Sequence, residues 1–428
     1  MKLPLINDIE RLNPWLKDPK KPILDLENYI QRIQTTKLLQ PDWDTLWLVL
    51  VGPRQAGKTT LGKYICHQLI QEGRFKQLLY LNCDFKTIRE WLINPLDVIE
   101  ALEYFQLEQP ILFIDEVQRL ETPGLLLKSI ADLKLPIKMI ASGSSQLEIK
   151  SKVQEYLTGR HLESLILPLS YSEIEKINHE QLLIFGCYPQ IIQTQEKSLL
   201  LKQLYRDYIN KDIIEILKIG MPDVIEKLIT LIAHSSGQLV NYNQLATDCS
   251  ASIATIKNYL SILEKTYVLQ KINPFVGNKR TEITSNPVYY FIDNGFRNQA
   301  LSNFLELDSR GDVGMLVQGF AFQEIYKTQS QYFKDFTIHF WRTKSGAEVD
   351  FILKQGTLLL PIEIKYRHMN GAAISRSFRS FIQAYEPKDG IYITKDFYGK
   401  IKVDGCTVHF IPLSKIDIMK KMINTIFS

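Results

Sequence analysis

Leu46-Trp47-Leu48-Val49-Leu50-Val51-Gly52-Pro53-Arg54-Gln55-Ala56-Gly57-Lys58-Thr59-Thr60 runs from an unbroken apolar stretch into a turn with two glycines. A continuous apolar run reads as a strand buried on both faces. Beyond it, Leu61, Ile65 and Leu69 recur at helical spacing, which predicts a helix over 60–69. The residues between fit GxxxxGK[ST] at every fixed position, with strand before and helix after. Gly52 and Gly57 let the backbone fold so that successive N–H groups face one concavity. The helix N-terminus adds partial positive charge there. Residues 52–60 are therefore the candidate phosphate-binding stretch. Lys58 is placed to reach β- and γ-phosphates, and the Thr59 hydroxyl to ligate Mg²⁺. The plain alternative is a chance glycine turn with a surface lysine.

Working outward, three more apolar runs appear: Leu78–Asn82, Pro110–Asp115 and Ile137–Ser142. The intervals between them are long enough for helical crossovers. That predicts an α/β core with a parallel sheet. The second of these ends in Asp115, with Glu116 next. Asp115 is the candidate second magnesium residue, directly or through water. Glu116 then sits where an attacking water needs a base. The alternative is an acidic strand end facing solvent. Ile137–Ser142 ends in hydroxyls, and Ser142 is a candidate to sense the γ-phosphate or orient the water. A small-residue turn that caps the next helix explains it equally well.

The chain has 428 residues, which suggests about three domains at roughly 100–200 residues each. Apolar residues are 45% and charged residues 23%, as in folded soluble proteins. The net charge of +4 excludes a histone-like polycation, so nucleic acid binding would need local patches. The cysteines, Cys66, Cys83, Cys187, Cys249 and Cys406, show no CxxC pair and no nearby histidine at ligand spacing. This argues against a zinc finger or a disulfide framework and for buried thiols in a reducing cytoplasm. No apolar run reaches about 18 residues, so no membrane span is expected. The N-terminus turns charged too soon for a secretory signal. The expected divisions are an N-terminal segment 1–45, a core 46–170, a helical linker or lid 171–225, a middle module 226–295 and a tail 296–428.

In the middle module, a short helix from Asn243 and a turn over Ser250–Ser252 precede a second helix running to Leu263 and capped by Ser252. Ile253, Ile256, Leu260 and Leu263 make its apolar face. Tyr267–Ile272 and Val288–Ile292 follow as strands around a polar loop. Helix, turn, helix, hairpin is the winged-helix order. If DNA binds, Lys257 and Asn258 lie on the recognition helix, and Lys279 and Arg280 on the wing for phosphate contact. Winged helices also serve as lids or protein-docking units.

In the tail, Ala347–Leu353 and Leu358–Lys365 read as strands around Gln355-Gly356. A two-residue turn there sets Asp350 opposite Pro361 and Glu348 opposite Glu363. Alternation then places Glu348, Asp350, Glu363 and Lys365 on one face. Asp350 and Glu363 become diagonal neighbours about 7–8 Å apart at Cα. Their oxygens suit a hard divalent cation, and Lys365 could position water or steady a phosphate. Pro361 within the strand hints at an edge or a bulge. A solvated polar face with ion pairs is the alternative.

These pieces, with Phe113-Ile114-Asp115-Glu116-Val117-Gln118, Ser142-Gly143-Ser144-Ser145, Leu157-Thr158-Gly159-Arg160, Asn210-Lys211-Asp212-Ile213 and Tyr289-Tyr290-Phe291-Ile292-Asp293-Asn294-Gly295, resemble a prokaryotic family of AAA-type ATPases. Its members carry a C-terminal domain related to restriction endonucleases. The resemblance implies a P-loop ATPase core, a winged-helix module and a restriction-endonuclease-like α/β tail with a D…ExK pattern. It implies ATP and Mg²⁺ as ligands. It also implies an acidic residue on the helix before that pattern, and Glu324 is the residue supplied there. Arg160 stands in the family's Gly-Arg position. It would act as an arginine given by a neighbouring subunit, which makes a homo-oligomer a candidate partner; the alternative is a helix-end arginine paired with Glu163. The expected function is Mg²⁺-dependent ATP hydrolysis that moves the C-terminal modules on nucleic acid. The rival is a nucleotide-controlled switch that docks protein partners without cutting DNA. A structural adaptor would require Glu116 to be idle.

Overall fold

The computed structural model describes residues 2–144, 159–174, 178–215, 219–275 and 286–428. The chain divides into two compact units, Met1–Pro168 and Leu169–Ser428.

In the first unit, β1 (Trp47–Val51), β2 (Gln77–Asn82), β3 (Pro110–Asp115), β4 (Lys138–Gly143) and β5 (His161–Leu165) make one sheet. The order is β2-β3-β4-β1-β5, and every pairing is parallel. Parallel strands need crossovers, and the apolar runs are buried because helices cover both faces. α1 spans Leu3–Leu12, α2 Lys58–Gln71, α3 Pro95–Tyr104 and α4 Pro123–Asp132. Pro95 and Pro123 each begin a helix, where the missing N–H costs nothing. The predicted face of α2 is fully buried at Leu61, Ile65 and Leu69. The helix begins at Lys58, two residues before the predicted start.

β2 is an edge strand, and the N-terminal segment covers it. The Asn13 amide donates to the Tyr80 carbonyl at 2.8 Å and accepts from the Tyr80 N–H at 2.6 Å. Trp15 Nε1 donates to the Leu78 carbonyl at 2.8 Å. These side chains satisfy main-chain groups that would otherwise stay open. β5 was not expected as a strand. It lies at the other edge and is mostly half-buried, so no continuous apolar run marks it.

The second unit holds a mixed eight-stranded sheet in the order β12-β13-β11-β10-β9-β8-β6-β7. Its strands are β6 (Leu269–Pro274), β7 (Val288–Phe291), β8 (Thr337–Arg342), β9 (Glu348–Gln355), β10 (Leu358–Lys365), β11 (Asp389–Thr394), β12 (Gly399–Val403) and β13 (Cys406–Pro412). α5 (Pro222–His234), α6 (Tyr242–Asp248) and α7 (Ile253–Lys265) precede β6 and share one apolar core. Ser252 Oγ accepts from Thr255 N at 3.0 Å and caps α7. Ile256, Leu260 and Leu263 are buried as expected. Ile253 is not, because it opens the helix and is 41% exposed. β6 pairs antiparallel with β7 and parallel with β8, so one sheet joins strands from before and after residue 295. α8 (Val313–Gln331), α9 (Arg376–Tyr385) and α10 (Ile416–Ile426) complete the elements used below.

The β9–β10 register differs from the expectation. Gln355 faces Leu358 and Phe351 faces Ile362, so the turn is Gly356-Thr357, with Gly356 at φ +57°. A glycine tolerates that backbone without penalty, which moves the turn by one residue. The pairing slips by two residues, so the same side chains still share a face. Pro361 causes no bulge. The ladder to β11 starts only at Ile362, so Pro361 lies where β10 pairs on one side. The bulge in this region lies between β8 and β9, at His339 and Trp341.

All five cysteines are buried and free. Among the described residues, no helix is long and apolar enough to cross a membrane.

Candidate functional site

In the first unit, β1, β3 and β4 point their C-terminal ends to one edge of the sheet. The crevice outside that edge is where open α/β sheets hold ligands. Gly52 takes φ +143° and Gly57 φ +95°, both in the region that favours glycine. A Cβ on Gly52 would also lie 2.1 Å from the Ile166 carbonyl oxygen. Gln55 has φ +59° and is exposed at the loop tip, while Pro53 and Ala56 are buried and Arg54 is half-buried. Thr60 is exposed on the first turn of α2. Lys58 is buried and turned onto its own loop. Its Nζ donates to the Gly52 carbonyl at 3.0 Å and the Pro53 carbonyl at 2.8 Å.

The strand ends converge on Asp115. Thr59 Oγ1 donates to Asp115 Oδ2 at 2.7 Å, and Ser142 Oγ donates to Oδ1. Glu116 follows in left-handed backbone, φ 55° and ψ 42°. Burial pushes its carboxyl pKa up, Lys58 opposes this, and the Asp115 charge adds to it. Gln118 Nε2 donates to Glu116 and, at 2.9 Å, to Ser144 Oγ. Thus Thr59 and Ser142 meet on Asp115 beside the glycine loop, with Glu116 next in the chain. A hydroxyl and a carboxylate in contact are the oxygen donors a small hard cation takes.

Arg160 does not join them within the chain. Its carbonyl accepts from Trp47 N at 3.1 Å, at the start of β5. The loop side of the sheet is where Val51 pairs with Leu165. Five residues of strand separate the two ends, about 16 Å. The guanidinium meets Asp132 at 2.9 Å, with both side chains more than half exposed. The partner found is Asp132, from α4.

Two residues escaped the sequence reading. Arg32 is buried and donates to the Ala56 carbonyl at 3.1 Å and the Leu167 carbonyl at 2.6 Å. Tyr80 donates its hydroxyl to Asp115 Oδ2 at 2.8 Å. Neither belongs to a local motif, and only the fold brings them in.

The second unit carries the other carboxylate set. Asp350 Oδ2 accepts from Ile364 N at 2.7 Å, and its Oδ1 accepts from Gln318 Nε2 at 2.7 Å. Lys365 Nζ reaches Glu363 Oε1 at 2.8 Å. Glu363 is buried, and its Oε2 has no hydrogen-bond partner. Burial raises both carboxyl pKa values; the Asp350 charge raises Glu363 further, and Lys365 opposes the rise. A cleft of about 680 Å³ opens beside Asp350, lined also by Gln318, Trp341, Arg342 and Glu348. Glu324 is a correction. It is fully buried and paired with Lys327 at 3.0 Å and Lys420 at 3.4 Å. Six residues along a helix turn the side chain about 120° away, so Gln318, not Glu324, faces Asp350 from α8. Among the described residues, no group of three or more His, Cys, Asp or Glu could hold a metal ion.

Lys257 and Asn258 are exposed on α7, and Lys257 Nζ lies 5.1 Å from the centre of the Tyr242 ring. Lys279 and Arg280 lie outside the described residues.

Residues 44–175 match the family model described as an AAA domain. Residues 177–307 and 313–416 match two models described as domains of unknown function, DUF8612 and DUF4143. The AAA match, with the parallel sheet and its glycine loop, supports an AAA-type ATPase fold for the first unit. An uncharacterized protein of Haemophilus influenzae is 21% identical over 416 residues, 91% of this chain and 98% of that one. An uncharacterized protein of Mycobacterium tuberculosis is 23% identical over 340 residues, 78% of this chain and 73% of the other. Among solved structures, AMPPCP-bound DnaA from Aquifex aeolicus aligns at TM-score 0.31 and 15% identity, over 57% of this chain and 92% of that one. The Bacillus subtilis DNA clamp loader delta protein aligns at 0.26 and 13%, over 53% and 86%. Likeness at these scores carries no argument about function.

Proposed function

We propose that the first unit binds ATP along residues 52–60 and hydrolyses it with Mg²⁺. The observation that carries this reading is the contact of Thr59 Oγ1 with Asp115 Oδ2 at 2.7 Å beside the glycine loop. Thr59 and Asp115 would hold the Mg²⁺, which would supply neutralisation of the charge developing on the phosphates. The chain supplies the rest. Backbone N–H groups of the loop bind phosphate oxygens. Lys58 leaves its loop carbonyls and turns its ammonium to the phosphates. Glu116 orients a water and takes its proton, and its raised pKa makes it a stronger base than an exposed glutamate. Ser142 holds Asp115 in place. Arg160, set at the far end of the sheet, serves a nucleotide on a second copy of the chain, in a homo-oligomer. The test is phosphate release from ATP by purified protein with and without Mg²⁺. Protein that neither binds nor splits ATP overturns the reading.

The second unit would carry nucleotide-driven motion to nucleic acid. The order α5, α6, α7, β6, β7 and the exposed Lys257 and Asn258 favour a winged-helix contact with DNA. A specific observation favours a cation as well: Glu363 Oε2 is buried without a partner beside Asp350. Asp350, Glu363 and Lys365 would then form a restriction-endonuclease-like site. A Mg²⁺/Mn²⁺ cleavage assay on DNA and RNA, with Asp350→Ala as control, tests it. If DNA leaves ATP turnover flat and is not cut, the second unit is instead a docking platform for protein under nucleotide control.

A further inference from the structure

Asp115 carries more donors than a strand-end carboxylate requires. Oδ1 accepts from Glu116 N at 3.1 Å and from Ser142, while Oδ2 accepts from Thr59 and from the Tyr80 phenol at 2.8 Å. Tyr80 stands one strand across, on β2, where it pairs with Phe113.

Everything around Tyr80 holds that hydroxyl still. The Asn13 amide holds both its N–H and its carbonyl along the open edge of β2. Its ring lies 5.3 Å from the Phe113 ring, and the Lys63 ammonium sits 4.2 Å from its centre. Asn82 Nδ2 donates to the phenol oxygen at 3.3 Å, so the single phenol proton is committed to Asp115.

We propose that Tyr80 is a positioning residue for the magnesium carboxylate: its hydroxyl keeps Asp115 oriented when the Thr59 hydroxyl turns from Asp115 to the cation. The inference rests on the ATP reading above. Without Tyr80, Oδ2 loses its second donor at the moment Thr59 leaves, and the carboxylate is free to rotate toward Ser142. A charge-assisted hydrogen bond from a rigid donor is strong enough to prevent this.

The test uses the full chain and Tyr80→Phe, which keeps the ring and removes one oxygen. Binding of a fluorescent ATP analogue is titrated with Mg²⁺. Affinity in EDTA is expected to match wild type and the thermal melt to fall modestly, as loss of one buried bond requires, while the Mg²⁺ concentration for half-maximal effect rises about tenfold, the size of one such bond. In an Asp115→Asn background, Tyr80→Phe is expected to add no further shift. A Tyr80→Phe protein with the wild-type Mg²⁺ midpoint overturns the proposal, as does an undiminished shift in the Asp115→Asn background. Wild-type protein that binds no nucleotide removes the ATP reading and this inference together. Wild type that binds normally beside an unchanged Tyr80→Phe removes this inference alone.

Discussion

Glu116 is aimed by its backbone. Left-handed φ and ψ cost a non-glycine residue energy, and here they turn the carboxylate back toward the loop directly after Asp115. Gln118 then holds it. Glu116→Gln keeps size and hydrogen bonding but removes the base. It is expected to lower the rate of ATP hydrolysis by about 10²–10⁴-fold while nucleotide binding persists, read by phosphate release beside equilibrium binding. Lys58→Ala is expected to do the reverse in order, with binding lost first. Unchanged hydrolysis in Glu116→Gln would show that glutamate to be idle. The residues in these tests were legible because each sits at a fixed step from a glycine or a strand end. Tyr80, Arg32 and Gln318 were not, because their partners lie 35, 24 and 32 residues away. Gln318 also hid behind an acidic neighbour: Glu324 has the right chemistry and the wrong helix face.

α2 rests on β3 through a glycine. A Cβ on Gly62 would lie 2.5 Å from the Phe113 ring, which is itself wedged against Tyr80. Gly62→Ala improves helix propensity yet must displace that ring. Overpacking of this kind is expected to cost about 1–3 kcal/mol, measured by urea unfolding. Gly73→Ala is the contrast: open space surrounds its Cβ, so only its φ of +70° opposes the change. A stabilised Gly62→Ala would mean that Phe113 repacks freely. At this scale the first unit's inner strands were readable because each carries a short apolar run. β5 was not, since an edge strand with His161 and Glu163 carries no such run. The β9–β10 hairpin shows the same limit. Alternation put Asp350 and Glu363 on one face, but only the turn at Gly356-Thr357 set which residues meet.

Across the whole chain, the second unit's carboxylates couple folding to pH. Glu363 is buried and Asp350 half-buried beside it, and both carry raised carboxyl pKa values, desolvation being the first cause. In the unfolded chain both titrate in the ordinary carboxylate range, about 4. Between that range and their folded values, the folded state therefore binds more protons than the unfolded one. Stability must fall as pH rises through this window, the reverse of a salt-bridged acid. Below it both states are protonated and the contribution is fully present; above it the pair is ionised in both and the loss is complete. Lys365 and the donors from Ile364 and Gln318 reduce the loss without reversing its sign. Other acids titrate in the same range, so the comparison is with Asp350→Asn, which leaves Glu363 without its ionisable neighbour. Urea unfolding of the full chain from pH 5 to pH 8 is expected to show a steeper decline in wild type than in that variant. Added Mg²⁺ or Mn²⁺ should restore wild type at the high end if the pair holds a cation, because binding to the folded state alone stabilises it. Wild-type stability that climbs with pH relative to Asp350→Asn would show the pair already held ionised by Lys365, with no cation needed to explain it.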